Sequence, residues 1–313
     1  MINFYKNRYI YFSISIAFII IGIVFLFING VSLDISFKGG AILTYTYDGS
    51  IDTDDAAKII SDKMGRNATV QITSDLSSNE KKMIVNMAGN EGLSVSEQTK
   101  LDSVLSENFK ANNPKLLSSN TVEPFIGKRF LRNGILAILI SSVLIVFYVW
   151  YRFITISGLS AGVMALVALL HDCIMVFFTF VIFKIPLNDS FVAVILTIVG
   201  YSVNDTIIVY DRIRENKKLD GGESIDVLVN KSITQTMSRS INTGATTLAG
   251  ALIIFIFAYI NNIESIVSFA LPMAVGLVFG CYSSICIAGT LWTMWQMRKK
   301  NRTLSAKGKA ARA

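Results

Sequence analysis

The chain has 313 residues, of which 52% are hydrophobic and only 16% are charged, and its mean hydropathy is +0.52. This composition excludes an ordinary soluble domain and indicates a protein that crosses a membrane several times. The formal net charge of +7 follows a topological pattern, so it predicts contact with anionic membrane lipid and not with nucleic acid.

Six apolar runs are long enough to cross a hydrocarbon core of about 30 Å, which takes roughly 20 residues each. Because the runs are continuous and do not alternate, we predict an α-helical polytopic membrane protein with six transmembrane helices and no β-barrel. The first run is interpreted as a retained anchor, since no small-x-small cleavage site follows it. The six predicted spans are Ile10–Ile28, Gly134–Tyr151, Gly158–Phe183, Ser190–Tyr210, Ile241–Ile260 and Ser265–Met294.

Four regions follow from this division of the chain. Residues 1–30 form the N-terminal tail and helix 1, 31–125 an exported α+β domain, 126–297 helices 2 to 6, and 298–313 a basic cytoplasmic tail.

The basic residues predict the orientation of the chain. Most of them fall on one side if six helices alternate, and that side is the cytoplasm by the positive-inside rule, with both termini there. A minority, Lys128, Arg129, Arg132 and Lys184, falls on the other side. The majority clusters are Lys6 and Arg8, Arg152, Arg212–Lys218, Lys231 and Arg239, and Arg298–Arg312.

The exported segment alternates strand and helix patterns in the order β-α-β-β-α-β, which is the split ferredoxin-like arrangement. Ser94 and Glu97 have the spacing of a capping box at the second helix. The predicted elements are strands Ala41–Tyr47, Thr69–Thr73, Met83–Met87 and Leu116–Val122, and helices Asp52–Met64 and Ser94–Phe109.

The third run carries an acid near its centre, Asp172, directly after the chain's single histidine, His171. Ala161, Ala165 and Ala168 share a helix face with Asp172, and such a stripe of small residues directs the acid toward other helices. Ionisable residues inside a membrane are functional by default. A static, hydrogen-bonded packing role remains open for both Asp172 and His171.

The fourth run ends with Asn204 and Asp205, and the fifth begins with Arg239, Thr243 and Thr246 on one helix face. Arg239 is the candidate partner of Asp205, because an opposite charge holds an acid ionised and its departure lets the acid take up a proton. This coupling predicts a proton relay, while a static salt bridge is the alternative.

Enzyme chemistry finds little support. A buried aspartyl protease pair would carry Gly-x-Gly-Asp, whereas the residues before Asp205 are Ser202, Val203 and Asn204. A HExxH zinc site needs two histidines, and no GxxxxGK[ST] loop is present. The cysteines, Cys173, Cys281 and Cys286, lie within apolar runs and predict neither a disulfide framework nor a metal site. We therefore expect no enzyme, cofactor or metal.

Seven short motifs, in combination with six spans and one large loop after the first, resemble the SecF family of bacterial protein-export membrane proteins. The motif residues include Gly39, Gly40, Pro124, Gly127, His171, Gly200, Asp211 and Arg212. The motifs are Phe37–Gly40, Val122–Gly127, Tyr148–Phe153, Ala168–Asp172, Gly200–Asp205, Asp211–Asn216 and Thr234–Arg239. Two positions depart from the family pattern, namely Ser36, where the family has Asp, and Glu123, where it has Gly.

The resemblance implies a SecD-like partner in a twelve-span assembly related to resistance-nodulation-division transporters, working beside the SecYEG channel in the bacterial cytoplasmic (inner) membrane. It further implies that proton flow drives the exported domains to draw an unfolded polypeptide outward. In that family the acid matching Asp205 and the arginine matching Arg239 are tied to proton passage; Asn204, Asp172 and Thr246 are our candidate polar helpers.

Three functions stay open at this point. The first is this proton-driven export accessory, although an acid and hydroxyl groups could serve sodium ions equally. The second is a scaffold whose buried polar residues lock helices to a SecD-like partner. The third is a small-molecule exporter of the related superfamily, which the single loop of about one hundred residues disfavours.

Overall fold

The structure is a computed structural model that describes residues 3–34, 39–74, 81–88, 93–122, 124–219, 222–261 and 263–310. Within these residues the chain is mostly helical and contains one small antiparallel sheet. Six helices are long and apolar enough to cross a membrane, which confirms the six predicted runs. These candidate spans are Arg8–Asn29, Arg132–Arg152, Gly158–Ile182, Asp189–Leu219, Ile225–Ile260 and Ser265–Arg302.

The helices and strands follow the order of the sequence patterns. The small α+β unit comprises β1 Gly40–Tyr47, α2 Thr53–Met64, β2 Ala68–Ser74, β3 Lys81–Ala88, α3 Val95–Asn108 and β4 Lys115–Val122. The remaining helices are α1 Arg8–Asn29, α4 Pro124–Arg152, α5 Gly158–Ile182, α6 Asp189–Leu219, α7 Ile225–Ile260, α8 Glu264–Ser283 and α9 Gly289–Ala310, with a π-helical turn Ser284–Ala288 between the last two.

The sheet has the strand order β2-β3-β1-β4, and every neighbouring pair is antiparallel. Alternate residues of β1 point to the helices, so Leu43 and Tyr45 are buried with Val85 of β3 and with Ile60 and Leu101 from the two helices. One face of the sheet therefore supplies a separate hydrophobic core outside the membrane part.

Side-chain caps fix where both helices of this unit begin. Asp52 accepts hydrogen bonds from the backbone N–H groups of Asp54 and Asp55. Ser94 and Glu97 form the predicted capping box, with each side chain bonded to the other residue's backbone N–H. The sequence spacing of small polar and acidic residues thus fixes these helix starts locally.

The helices of the membrane part extend beyond the predicted apolar runs. α6 continues past Tyr210 to Leu219, and α7 begins at Ile225, well before Ile241. Hydropathy identifies only the part that crosses hydrocarbon, whereas intrahelical hydrogen bonding continues through the polar residues that follow. Both helices therefore run uninterrupted from the bilayer into the basic, predicted cytoplasmic region.

Backbone hydrogen bonds attach the segment that follows α1 to the turn between α5 and α6. Leu33 and Leu187 form an isolated parallel bridge, in which Asp34 N donates to Leu187 O and Leu187 N donates to Ser32 O. The turn between α5 and α6 thereby holds the chain just before it enters the α+β unit. Gly39 and Gly40 complete this entry at φ 80° and 143°, a backbone region that favours glycine.

We predict that Tyr45→Phe weakens the α+β unit, because the buried Tyr45 hydroxyl donates to Asp102 Oδ1 at 2.7 Å. Burial, reinforced by this hydrogen bond, raises the pKa of Tyr45 and keeps the hydroxyl protonated. Loss of such a bond costs about 1 kcal/mol, so amide hydrogen exchange across β1 and α3 should accelerate roughly fivefold. Tyr47→Phe on the same strand is the control, and equal acceleration in both variants would contradict the assignment.

Candidate functional site

Asp172 is completely buried at the middle of α5, and three side chains solvate it. The hydroxyls of Ser202 from α6 and Ser283 from α8 each donate to Oδ2 at 2.7 Å, and His171 Nδ1 lies 3.0 Å from Oδ1. A carboxylate that accepts several hydrogen bonds can stay ionised without a cation. Asp172 therefore joins three helices at the centre of the bundle.

The predicted stripe of small residues on α5 is confirmed. Ala161, Ala165 and Ala168 are each fully buried, which places their face, and Asp172 with it, against other helices. Sequence spacing alone was sufficient to predict this orientation.

The π-helical turn Ser284–Ala288 lies beside this carboxylate and extends its network. Ser284 Oγ donates to the Ser202 carbonyl at 3.0 Å and lies 3.0 Å from Thr206 Oγ1. π-helical turns are rare and occur frequently at functional sites. Here the turn follows directly on Ser283, so two consecutive serines bind different helices: Ser283 binds Asp172 of α5, and Ser284 binds α6.

His171 contacts aromatic rings on its other side. Its ring centroid is 6.1 Å from that of Phe279 and 6.3 Å from that of Tyr282. Its Nε2 is buried and has no hydrogen-bond partner among the described residues. The structure thus pairs His171 with Asp172 and leaves its second nitrogen in an apolar setting.

Asp205 is almost as inaccessible to solvent as Asp172 but lies less deep in the bundle and is not hydrogen-bonded in the same way. It is 1% exposed, and its Oδ2 finds no hydrogen-bond partner among the described residues. Ser240 and Arg239 of α7 lie near enough to act on the carboxyl group, yet the Ser240 hydroxyl is also unpaired within the described part of the chain. A buried polar atom left unsatisfied costs about 1–3 kcal/mol, and more when charged.

Close to Asp205, side chains of α6 and α8 pack against Gly244 of α7. The Tyr201 hydroxyl, also unpaired within the described ranges, lies 3.1 Å from where a Cβ on Gly244 would stand. Cys281 lies 3.3 Å from the same position, and its thiol points to the Ser240 carbonyl. A side chain at Gly244 would therefore press on Tyr201 and Cys281 and require both to shift by a few tenths of an ångström.

The predicted pair of Asp205 and Arg239 does not form a salt bridge in this structure. Arg239 is exposed, and no ion pair joins the two among the described residues. Asn204 is exposed as well, and Thr246 donates to the carbonyls of Asn242 and Thr243 on its own helix. The structure thus gathers Asp205 with Tyr201 and Ser240, and leaves the predicted polar helpers Asn204 and Thr246 on the surface.

A second polar cluster lies where α6 and α7 leave the bilayer. Asn216, 2% exposed, donates to Ser232 Oγ and Gln235 Oε1 at 2.8 Å each, and Arg212 Nε donates to the same Gln235 oxygen at 2.7 Å. Asp211 pairs with Arg214 at 2.6 Å and Arg152 at 3.4 Å. The bonds of Asn216 and Arg212 join α6 to α7, and the pair of Asp211 with Arg152 joins α6 to the end of α4.

The other motif residues occupy backbone positions. Gly200 faces open space on α6, and Pro124 and Gly127 lie at the start of α4. Ser36 and Glu123 lie outside the described residues. Within the described ranges, no group of three or more His, Cys, Asp or Glu side chains is arranged to hold a metal ion.

Comparison with known proteins places this arrangement in a family. The family described as "Protein export membrane protein SecD/SecF, C-terminal" matches residues 102–298. The chain belongs to the SecD/SecF family. It is thus a multi-pass membrane protein of the protein-transport class, and the expected SecF resemblance is confirmed.

Individual relatives agree with this assignment. Protein translocase subunit SecF of Alicyclobacillus acidocaldarius is 42% identical over 58% of each chain, and that of Petrotoga mobilis is 30% identical over 97% of this chain and 99% of its own length. The crystal structure of Thermus thermophilus SecDF, a translocon-associated membrane protein, is 29% identical with a TM-score of 0.76. That match covers 94% of this chain and 38% of the longer SecDF chain.

Sequence reasoning missed the hydroxyl groups that solvate Asp172. Ser202, Ser283 and Ser284 are fully buried. The signal available in the sequence was that each serine interrupts an apolar run, where hydroxyl groups bond to neighbouring helices. Their partner is distant in the sequence, so spacing along one helix could not reveal them. The unsatisfied Ser240 was missed for the same reason.

We predict that Asp172→Ala destabilises the bundle by about 3 kcal/mol, because it leaves buried donors without an acceptor. Asp172→Asn should cost less, since its amide oxygen can still accept from both Ser202 and Ser283. Unfolding of the purified chain by SDS titration measures the difference. Equal losses for the two variants would show that the hydrogen bonds do not hold the helices together.

Proposed function

We propose that this chain is the SecF half of a Sec translocation accessory that uses the proton gradient to assist export of unfolded polypeptides across the cytoplasmic membrane. The observation that carries the proposal is the Asp205 carboxyl group, which is buried with one oxygen unpaired among the described residues while Arg239 stands exposed nearby. Such a group gains most from binding a proton when its cationic partner is away.

Asp205 is the protonation site in this scheme and Arg239 the group that alternates with the proton. With Arg239 close, the carboxylate stays charged; with Arg239 turned away, protonation removes the cost of an unpaired buried charge. A proton crossing the membrane releases about 2.3 kcal/mol per 100 mV, enough to bias two conformations more than tenfold. No hydrolytic chemistry is then needed.

A SecD-like subunit is the proposed partner, and it would cover the surface formed by α6 and α7. Gly200 and Asn204 on α6 and Thr243, Thr246 and Gly250 on α7 form an exposed face of small and polar residues. Small residues let helix backbones approach closely inside a membrane. Relatives named SecDF carry a region like this chain within a longer protein, which supports a SecD-like neighbour.

The α+β unit would be the exported part that meets the polypeptide. Its β-α-β-β-α-β order and β2-β3-β1-β4 sheet support a ferredoxin-like unit between helices 1 and 2. SecYEG is the proposed neighbouring channel, since a SecDF relative is described as translocon-associated. The clustering of Arg152, Arg214 and Lys217 supports cytoplasmic termini.

A scaffold role is the second candidate, and the hydrogen-bonded Asp172 favours it. Three side chains surround the Asp172 carboxyl group, so Asp172 can hold the helices together without any change in its charge. Asp205 differs from Asp172 in this respect, so replacing Asp205 separates the two functions.

We predict that Asp205→Asn gives a complex that assembles with its SecD-like partner but no longer stimulates export. The amide keeps the size of the side chain while removing the proton that binds and leaves. Co-purification reports assembly, and translocation of a preprotein into inverted vesicles with and without a membrane potential reports function. Asp226→Asn, at the start of α7, removes a carboxylate outside the bilayer and is the matched control. Normal export by an assembled Asp205→Asn complex would leave the scaffold as the better description.

A further inference from the structure

A groove with apolar walls opens between α4, α5 and α9 at the predicted cytoplasmic surface. It encloses about 510 Å³, a volume typical of small-molecule sites. Two tryptophans, Trp150 and Trp295, border it and are 46% and 52% exposed. Ile154, Leu159, Val163 and Met164 supply its remaining apolar surface.

The groove lies beside the short connection between α4 and α5, and Ile154 and Ser157 of that connection line it. The last turn of α4 lies so close to Gly158 that a Cβ there would stand 2.3 Å from the Trp150 carbonyl oxygen. The two helices stay close one turn further on, where a Cβ on Gly162 would stand 3.1 Å from the Val146 carbonyl oxygen, and Trp295 and Lys299 of α9 supply the remaining wall. From Leu159 to Val163 the groove follows one turn of α5 toward the hydrocarbon core.

Positive charge is concentrated at the cytoplasmic end of the groove. Lys299 lines it, and Arg298 and Arg302 line an adjoining depression of about 330 Å³ that shares Trp295 and Lys299. These basic residues follow Trp295 by three, four and seven positions, so they occupy the same face of α9. No acidic side chain is among the described residues that line either depression.

The groove therefore combines an apolar channel, interfacial tryptophans and a cationic end, in the order met when moving from the hydrocarbon core to the cytoplasm. Tryptophan favours the headgroup level of a bilayer. Basic pockets between transmembrane helices on the cytoplasmic side bind anionic lipid headgroups. The N-cap of α5, Ser157, lines the same groove and makes no side-chain cap, so the helix N-terminus adds further attraction for an anion.

We propose that this groove is a binding site for one anionic phospholipid of the cytoplasmic leaflet. Its phosphate and headgroup lie among Arg298, Lys299 and Arg302, and an acyl chain follows α5 past Leu159 and Val163 between the two tryptophans. The site does not involve Asp205 or the exposed face of α6 and α7. A test of this lipid site is therefore independent of whether Asp205 couples protons to export.

Native mass spectrometry of the purified full-length chain, titrated with phosphatidylglycerol and with phosphatidylcholine, tests the site. Both lipids carry a phosphodiester and acyl chains, but only phosphatidylglycerol is anionic. We expect phosphatidylglycerol to bind at least about tenfold more tightly. Equal affinity for the two lipids would overturn the proposal, because the basic residues would then select nothing.

Two variants and one control locate the binding. Replacing Arg298, Lys299 and Arg302 together with Gln should weaken phosphatidylglycerol binding about tenfold or more. The control replaces Lys6, Lys218 and Lys300 with Gln, which removes the same charge from residues that line neither depression. An equal loss in the control would show diffuse attraction to the basic surface and would overturn a defined site.

Val163→Trp provides an independent test because it fills the groove and leaves every basic residue in place. Val163 is 42% exposed, so the larger ring can be accommodated at the surface. We expect this variant to lose tight phosphatidylglycerol binding as well. A photo-reactive residue at position 163 should cross-link to lipid in membranes; cross-linking to a protein instead would assign the groove to a partner subunit.

Discussion

The interaction that joins three helices of the bundle is the hydrogen bonding of one buried carboxyl group. Asp172 lies at the centre of α5, where an unpaired charge would be costly, and two serines and a histidine supply hydrogen bonds to it. Because Ser202 belongs to α6 and Ser283 to α8, satisfying this acid also sets how the three helices pack. The π-helical turn after Ser283 directs Ser284 to α6 and extends the same network.

Asp205 is also a buried acid that needs hydrogen-bond partners, but one of its oxygens has none among the described residues. It is one turn from Ser202 on α6, yet its Oδ2 has no hydrogen bond within the described ranges. Asp172 thus has several hydrogen bonds to neighbouring helices, whereas Asp205 keeps one oxygen without a partner among the described residues. α6 and α7 continue beyond their apolar runs as unbroken helices and are joined there by Asn216, Ser232 and Gln235.

Sequence alone predicted the six apolar helices, the capping residues of the outer unit and the alanine stripe that turns Asp172 inward. These features depend on residues close together along the chain. The hydroxyl donors around Asp172 come from helices remote in sequence, and serine has no distinctive hydropathy, so they could not be predicted. The helix ends of α6 and α7 were underestimated because hydropathy reports the bilayer and not the hydrogen-bonded backbone. The ion pair of Asp205 with Arg239 was expected from their opposite charges. The exposed position of the Arg239 side chain, which the sequence does not reveal, leaves the pair unformed in this structure.

The position of Arg239 explains how an exposed arginine can coexist with a buried acid on the neighbouring helix. Arg239 lies just before the apolar run of α7, and its long side chain is exposed at the end of that run, where a charged group can stay outside the apolar part. Asp205 lies about one and a half turns from the cytoplasmic end of its own run, within the bilayer. Under the proposed function, turning this side chain toward or away from α6 would pair the carboxylate or leave it unpaired. Gly200 and Asn204 extend from Asp205 toward the outer surface on the face left exposed in this chain. Under the proposed function, a proton entering from outside would meet Asp205 along that face, and a partner subunit that covers the face would complete its path.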